Sequence, residues 1–272
     1  MKKIEIPAKS IVCETLECYT HDGAFLACVS ALKEEGSDLF SGEALAEVRI
    51  AEQIHLGKCG EFCNTVFLIA ENPNYMPDGD ILFADRRYNP YLKKTAFDYR
   101  DNYNLDLDET VAGELRERAE KDPIKAIKSG VLLLPRSEVR REIPSSAFSE
   151  EPLTIFVFRE FAQEYGLLLQ NERILSVPIT VESADYAKSH TKPFGRLSFI
   201  QGLNINSEIY CLVHELVADN ILVGGLRRVL MGREPVQHLE SNIQQALNEG
   251  VAFKYNGKLY VPVNEDAIKN TK

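Results

Sequence analysis

The stretch 65-TVFLIAENPNYMPDGDILFA-84 decides how the chain is read. Thr65 to Ala70 is a continuous apolar run, bounded by Asn64 and Glu71, and predicts a buried strand. Ile81 to Ala84 predicts a second short strand. Between them, Asn72-Pro73-Asn74 and Pro77-Asp78-Gly79 carry turn chemistry: proline presets φ, glycine supplies positive φ, and Asx side chains bond nearby backbone. The whole of 71–80 therefore reads as a loop joining two strands.

Working upstream, Lys3 to Lys9 suits an edge strand, and Ala24 to Glu35 a helix with Phe25, Cys28, Val29 and Leu32 at helical spacing. Glu43 to Leu56 is open: Leu45, Val48 and Ile54 suit a helix, whereas 46–51 alternates like a strand. Downstream, 89–108 is polar and aromatic without a period and reads as the longest loop. A charged helix follows over 106–120, with Asp108 as its N-cap and Pro123 as its breaker. Val131 to Pro135 predicts a buried strand. Pro152 opens a helix that places Leu153, Phe156, Val157, Phe161 and Leu168 on one face. Ile174 to Val181 and Leu197 to Leu203 predict strands, the first at an edge or with a bulge because of Pro178. Ser207 suits the cap of a helix through Ile209, Leu212, Val213, Leu216 and Val217.

The end of the chain is the most legible local unit. Pro235 to Asn248 is an amphipathic helix, and Val251 to Tyr255 and Lys258 to Val263 are strands joined by Asn256-Gly257, a strong hairpin signal. Helix plus hairpin at a chain end resembles the close of a winged-helix unit. Strands and helices intersperse without strict alternation, so the expected class is α+β, a mixed sheet packed with helices and ending in a helix plus β-hairpin. Gly232 and Pro235 suggest a main domain over 1–234 and a C-terminal unit over 235–272.

Composition narrows the function classes. The 272 residues are 44% hydrophobic and 26% charged, too apolar for disorder, and the formal net charge of −10 disfavours nucleic acid as a general partner. No apolar run approaches the roughly 18 residues of a membrane span, so no membrane partner is expected. Lys2 and Lys3 are not followed by the apolar core of a signal peptide, and a cytoplasmic chain is the expectation. Cys13, Cys18, Cys28, Cys59, Cys63 and Cys211 then read as reduced thiols.

Four groups of residues carry candidate chemistry. Asp78, Asp80 and Asp85 offer hard oxygen ligands for Mg²⁺ or Mn²⁺, with Asp78 and Asp80 the principal pair and Gly79 bending the chain between them. Arg86 and Arg87 follow and suit the neutralising of a small anionic substrate. The competing reading is a solvated Pro-Asp-Gly turn. His55, Cys59 and Cys63 recur every four residues and form an alternative, structural zinc set, with Cys13, Cys18 and His21 as a second group; buried apolar thiols explain the same residues. His214-Glu215 lacks the second histidine of a zinc-protease helix, because Ala218 holds that place. Two basic groups, Lys188, His190, Lys192 and Arg196 around Pro193-Phe194-Gly195, and Arg227, Arg228 and Arg233 after Gly224-Gly225, read as anion-facing loops or as solvated charge.

The expectation from these groups is a metal-dependent hydrolase or phosphoryl-transfer enzyme working through the acidic loop. Asp78, Asp80 and Asp85 would be its catalytic carboxylates, and metal-bound water its nucleophile. The alternatives are a non-catalytic module that binds nucleic acid or protein through its C-terminal unit, or a self-assembling subunit that forms a homo-oligomer.

Overall fold

A computed structural model describes residues 2–7, 13–23, 25–89, 92, 105–203, 209–211, 221–230, 253–255 and 258–260. The N-terminal half contains β1 (Lys2–Pro7), β2 (Cys13–Gly23), α1 (Phe25–Glu34), β3 (Asp38–Leu39), α2 (Gly42–Leu56), α3 (Glu61–Asn64), β4 (Phe67–Ile69), β5 (Asn72–Tyr75), β6 (Ile81–Ala84), β7 (Leu105–Asp106), α4 (Glu109–Lys121), α5 (Pro123–Lys128) and β8 (Val131–Leu134). There follow β9 (Glu142–Pro144), α6 (Pro152–Phe158), α7 (Ala162–Asn171), β10 (Ser176–Val181), α8 (Ala184–Lys188), β11 (Phe194–Gly195), β12 (Ser198–Ile200), β13 (Ile209–Cys211), β14 (Ile221–Leu230), β15 (Phe253–Tyr255) and β16 (Lys258–Tyr260). The fold is α+β. The chain divides into two units, Met1–Val229 and Leu230–Lys272.

The first unit holds three sheets, ordered β1-β2-β14-β3, β4-β12-β13-β10-β9 and β7-β11-β5-β6-β8. Pairing is antiparallel at each of the described registers except β10 with β13, which is parallel. In the second unit, β15 pairs antiparallel with β16, with Tyr255 opposite Lys258 across Asn256-Gly257. The helix expected over 235–248 lies outside the described residues, as does most of the long loop expected over 89–108.

Helix α2 resolves the ambiguity of 43–56. Ser41 caps it by accepting the Ala44 N–H at 3.1 Å, and Gly57 ends it with φ +66°. Ten of its residues, Gly42 to Glu52 apart from Glu43, are buried, including Arg49 at 0% exposure and Glu52 at 5%. These charges are buried because each is hydrogen-bonded, which removes most of the cost of leaving water. Arg49 donates to the Phe62 carbonyl at 2.9 Å, the Thr65 carbonyl at 2.7 Å and the Tyr165 hydroxyl at 2.6 Å. Glu52 accepts the Phe62 and Cys63 N–H groups at 3.1 and 2.8 Å. Together they clamp α3 and the lead into β4 against α2. The strand pattern of 46–51 misleads because its polar members are buried too.

Four further expectations are corrected. Asn72–Tyr75 is a buried strand rather than loop, paired with β6. Its amide donors are taken up inside the sheet, Asn72 Nδ2 by Asn74 Oδ1 at 2.9 Å and Asn74 Nδ2 by the Leu82 carbonyl at 3.0 Å, while Asn72 Oδ1 is buried without a hydrogen-bond partner among the described residues. The helix from Pro152 breaks at Arg159, where φ is +51°, and resumes at Ala162 after a short 3₁₀ turn. Ile209–Cys211 is a strand rather than the start of a helix, and Leu212 to Val217 lie outside the described residues. Pro178 stands in an interior strand of its sheet. It is tolerated because β10 pairs with β9 over 176–178 and with β13 over 179–181, so each half is paired on one side.

The main core gathers α2, α6 and α7 over the sheets. Phe40, Phe62 and Phe67 pack edge-on and stacked within it, at 5.3 Å between Phe40 and Phe67 and 5.6 Å between Phe62 and Phe67. A separate cluster of Leu82, Leu107, Ala112, Leu115, Ala119, Ala126 and Val131 seats α4 and α5.

Candidate functional site

The acidic turn is a closed ion-pair network. Arg116 on α4 reaches back to it, donating to Asp78, to Asp80 Oδ2 at 3.0 Å and to Glu120 at 2.9 Å. The second oxygen of Asp80 accepts the Arg136 N–H at 3.0 Å, and Asp78 Oδ1 accepts the Asp80 N–H at 3.1 Å. Burial pushes the Asp78 carboxyl up, but the Arg116 guanidinium and the Asp80 N–H outweigh it and hold it below the usual range. Asp85 does not join this pair. It stands at the far end of β6, five extended residues from Asp80 and so roughly 15 Å away. There Arg87 grips it, donating from Nη2 at 2.6 Å and from Nε at 3.0 Å, while Arg86 lies 2.5 Å from Asp38.

The other groups are likewise accounted for. His55 is exposed at the end of α2, whereas Cys63 is buried and Cys59 half-buried. Among the described residues no three His, Cys, Asp or Glu side chains come together to hold a metal ion. Arg196 is buried against Glu182 at 2.9 Å, Lys192 lies 3.8 Å from Glu109, and His190 packs on Phe194 with ring centroids 4.3 Å apart. Gly224-Gly225 is no anion loop but part of β14. A Cβ at Gly224 would come within 2.3 Å of the Phe40 ring, and one at Gly225 within 2.6 Å of the Asp38 carbonyl, so close packing demands both glycines. Arg227 and Arg228 on that strand pair with Glu17 and Glu47. Arg233 and His214-Glu215 lie outside the described residues.

A different place holds unmet charge. A cleft of ≈ 330 Å³ opens at the N-terminus of α2, with Leu39, Ala44, Ala70 and Leu226 as its apolar surface. Asp38, Glu43, Glu71, Asp85, Arg86, Arg159 and Arg228 supply its charge. Gly42 opens the helix there because a Cβ would fall 2.7 Å from the Val157 carbonyl, which lets α6 press against the helix end. Glu71, the residue after β4 and Ala70, accepts the Gly42 N–H at 2.9 Å and is 4% exposed.

The charges divide unequally. Each rim arginine is engaged: Arg86 by Asp38, Arg228 by Glu47 with Nε at 3.1 Å, and Arg159 by the Ile127 carbonyl at 2.5 Å and the Phe156 ring at 4.7 Å. Among the described residues, neither Glu43 nor Glu71 has an ion-pair partner within 4 Å. Burial pushes Glu71 up to about 7, against the pull of the Gly42 N–H, its own N–H and Arg159, with Asp85 adding to the rise. Burial raises Glu43 as well, helped by Glu160 and opposed by Arg159 and Arg228. Arg159, lining the same cleft, holds the positive φ that interrupts the helix.

The sequence reading passed over Glu71. Its signal was a lone carboxylate placed directly after a six-residue apolar run, where burial on both sides follows from the strand itself.

Comparison with known proteins yields a fold likeness. A solved chain, from work on the accommodation of massive sequence variation in Nanoarchaeota by the C-type lectin fold, superposes with a TM-score of 0.54. The identity is 15%, over 78% of this chain and 97% of the other. No protein-family model matches the chain, and no curated protein is similar to it. The expectation of a metal-dependent hydrolase or phosphoryl-transfer enzyme is overturned: the likeness is to a C-type lectin fold, and the carboxylates meant for the ion are bound by Arg116 and Arg87.

Proposed function

We propose that this chain is a recognition domain, and that the cleft at the start of α2 takes the positively charged head of a ligand, an ammonium or guanidinium group. The aliphatic stem behind that head would lie on Leu39, Ala44, Ala70 and Leu226. The observation that carries this reading is Glu71, a buried carboxylate lining a cleft in which Arg86 and Arg228 are paired with Asp38 and Glu47 and Arg159 is held by the Ile127 carbonyl and the Phe156 ring. An entering cation supplies the charge that Glu71 and Glu43 lack, whereas an entering anion would have to displace Asp38 or Glu47 from its arginine, or meet Arg159 beside the two unpaired glutamates. The backbone strain at Arg159 supports the choice of place, since such strain collects at ligand sites. The fold likeness supports a recognition role: the related fold accommodates massive sequence variation, a use that suits a scaffold with exchangeable surface residues.

Calorimetric titration of the full chain with n-butylammonium, n-butylguanidinium, butyrate and 1-butanol tests the reading. Both cations bind at pH 8, the anion and the alcohol do not, and Glu71→Gln weakens the cations by roughly tenfold or more. Because a cation favours the ionised Glu71, affinity falls about tenfold between pH 8 and pH 6, through its value near 7. Binding of butyrate in place of butylammonium, or unchanged affinity in Glu71→Gln, would overturn the proposal.

A further inference from the structure

A second cleft, of ≈ 530 Å³, opens where β9 leaves β10. The two strands pair as far as Glu142 opposite Pro178, and one more bond runs from the Ile179 N–H to the Arg141 carbonyl at 2.7 Å. From Ile179 onward the described pairing of β10 is with β13, on its other side. Ile179, Val181 and Ser183 therefore line an opening together with Arg141. Arg136 and Val139 line it too, from the 3₁₀ turn after β8, which is anchored by the Arg136 N–H on Asp80 Oδ1 at 3.0 Å.

The charge of this cleft is of one sign, two arginines with no carboxylate among its described lining. Nearby carboxylates are engaged elsewhere: Glu151 by Arg140 at 3.3 Å, Glu182 by Arg196 at 2.9 Å and Asp80 by Arg116 at 3.0 Å. Among the described residues neither Arg136 nor Arg141 has an ion-pair partner within 4 Å. Arg141 is exposed and keeps its hydration. Arg136 is half-buried, and its Nη1 is closed off from solvent with no hydrogen-bond partner among the described residues. A charged donor left in that state is costly, and its field is poorly screened.

We propose that this cleft is a second binding site, for a phosphate monoester held by Arg136 and Arg141. Two guanidiniums match a dianion, and a phosphate monoester carries roughly −2 at pH 8. Each planar fork also fits two phosphate oxygens, whereas a monocarboxylate such as butyrate would meet only one of the two charges. Ser183 accepts the Tyr186 N–H at 3.1 Å through Oγ and so keeps its own proton to donate to a phosphate oxygen. The carbon chain of the ester would lie on Val139, Ile179 and Val181. The site shares no lining residue with the cleft at α2 and does not depend on Glu71.

Calorimetric titration of the full chain at pH 8 with n-butyl phosphate, inorganic phosphate and butyrate is the test. The alkyl phosphate is expected to bind, inorganic phosphate to bind at least roughly threefold more weakly for want of the apolar chain, and butyrate not to bind. Arg141→Gln, a change at an exposed position that leaves the fold intact, is expected to weaken n-butyl phosphate by roughly tenfold, and Arg136→Gln by at least as much. Arg140→Gln, at the adjacent arginine already paired with Glu151, and Glu71→Gln, in the other cleft, are expected to leave its affinity unchanged. The proposal is refuted by no binding of n-butyl phosphate, by inorganic phosphate or butyrate binding as tightly, by wild-type affinity in Arg141→Gln, or by an equal loss in Arg140→Gln or Glu71→Gln.

Discussion

Two groups of carboxylates in this molecule stand in opposite electrostatic states. At the turn before β6, Asp78 and Asp80 share the Arg116 guanidinium, and the Asp78 carboxyl is held low. In the cleft at α2, Glu71 is buried without an ion pair and pushed up to about 7. The difference shows that a count of acidic residues does not locate a site. What matters is whether the fold has already met their charge, and at the turn the partner comes from α4, 36 residues beyond Asp80.

The largest expected effect that sharpens this contrast comes from Glu71→Gln. A carboxyl whose folded value lies above its unfolded one binds more protons in the native state, so it makes the protein less stable as pH rises from about 4.5 to 7. The variant lacks that slope. Its stability relative to wild type, measured by urea unfolding, is expected to improve by on the order of 3 kcal/mol between pH 4 and pH 8. A difference independent of pH would mean that Glu71 titrates as an ordinary carboxylate.

Arg116→Ala is the smaller effect, and it tries to make the turn resemble the cleft. The network is partly exposed, so the expected loss at pH 7 is about 1 kcal/mol. The sign with pH is opposite to that of Glu71. Asp78 is held low in the native state and contributes stability above its unfolded value, which is lost as pH falls through the folded one. The gap between wild type and Arg116→Ala therefore closes in acid. A gap that widened in acid would break the contrast.

Much of the fold was legible in local pattern. The apolar runs ending at Ala70 and Ala84, the Asp108 cap and the pairing of 253–255 with 258–260 all announce themselves within a few residues, because their causes are local: strand burial, an orphan N–H, a short turn sequence between two strands. Long-range partners were not legible. Asn72 and Asn74 look like loop residues until their amides find Leu82 and each other, and Arg49 looks solvated until Phe62, Thr65 and Tyr165 surround it. The candidate site failed for the same reason. Asp78 and Asp80 cluster in sequence, whereas Glu71, Glu43 and Arg159 meet only when β4, α2 and the break after α6 come together.

The most direct measurement is a carboxyl-carbon NMR titration of Glu71 in the full chain, with and without saturating n-butylammonium. The expected midpoint is about 7 in the free protein, moving down when the amine is present, because a bound cation favours the carboxylate. A midpoint in the ordinary glutamate range, or one near 7 that the amine leaves in place, would contradict the assignment of this cleft to a cationic ligand.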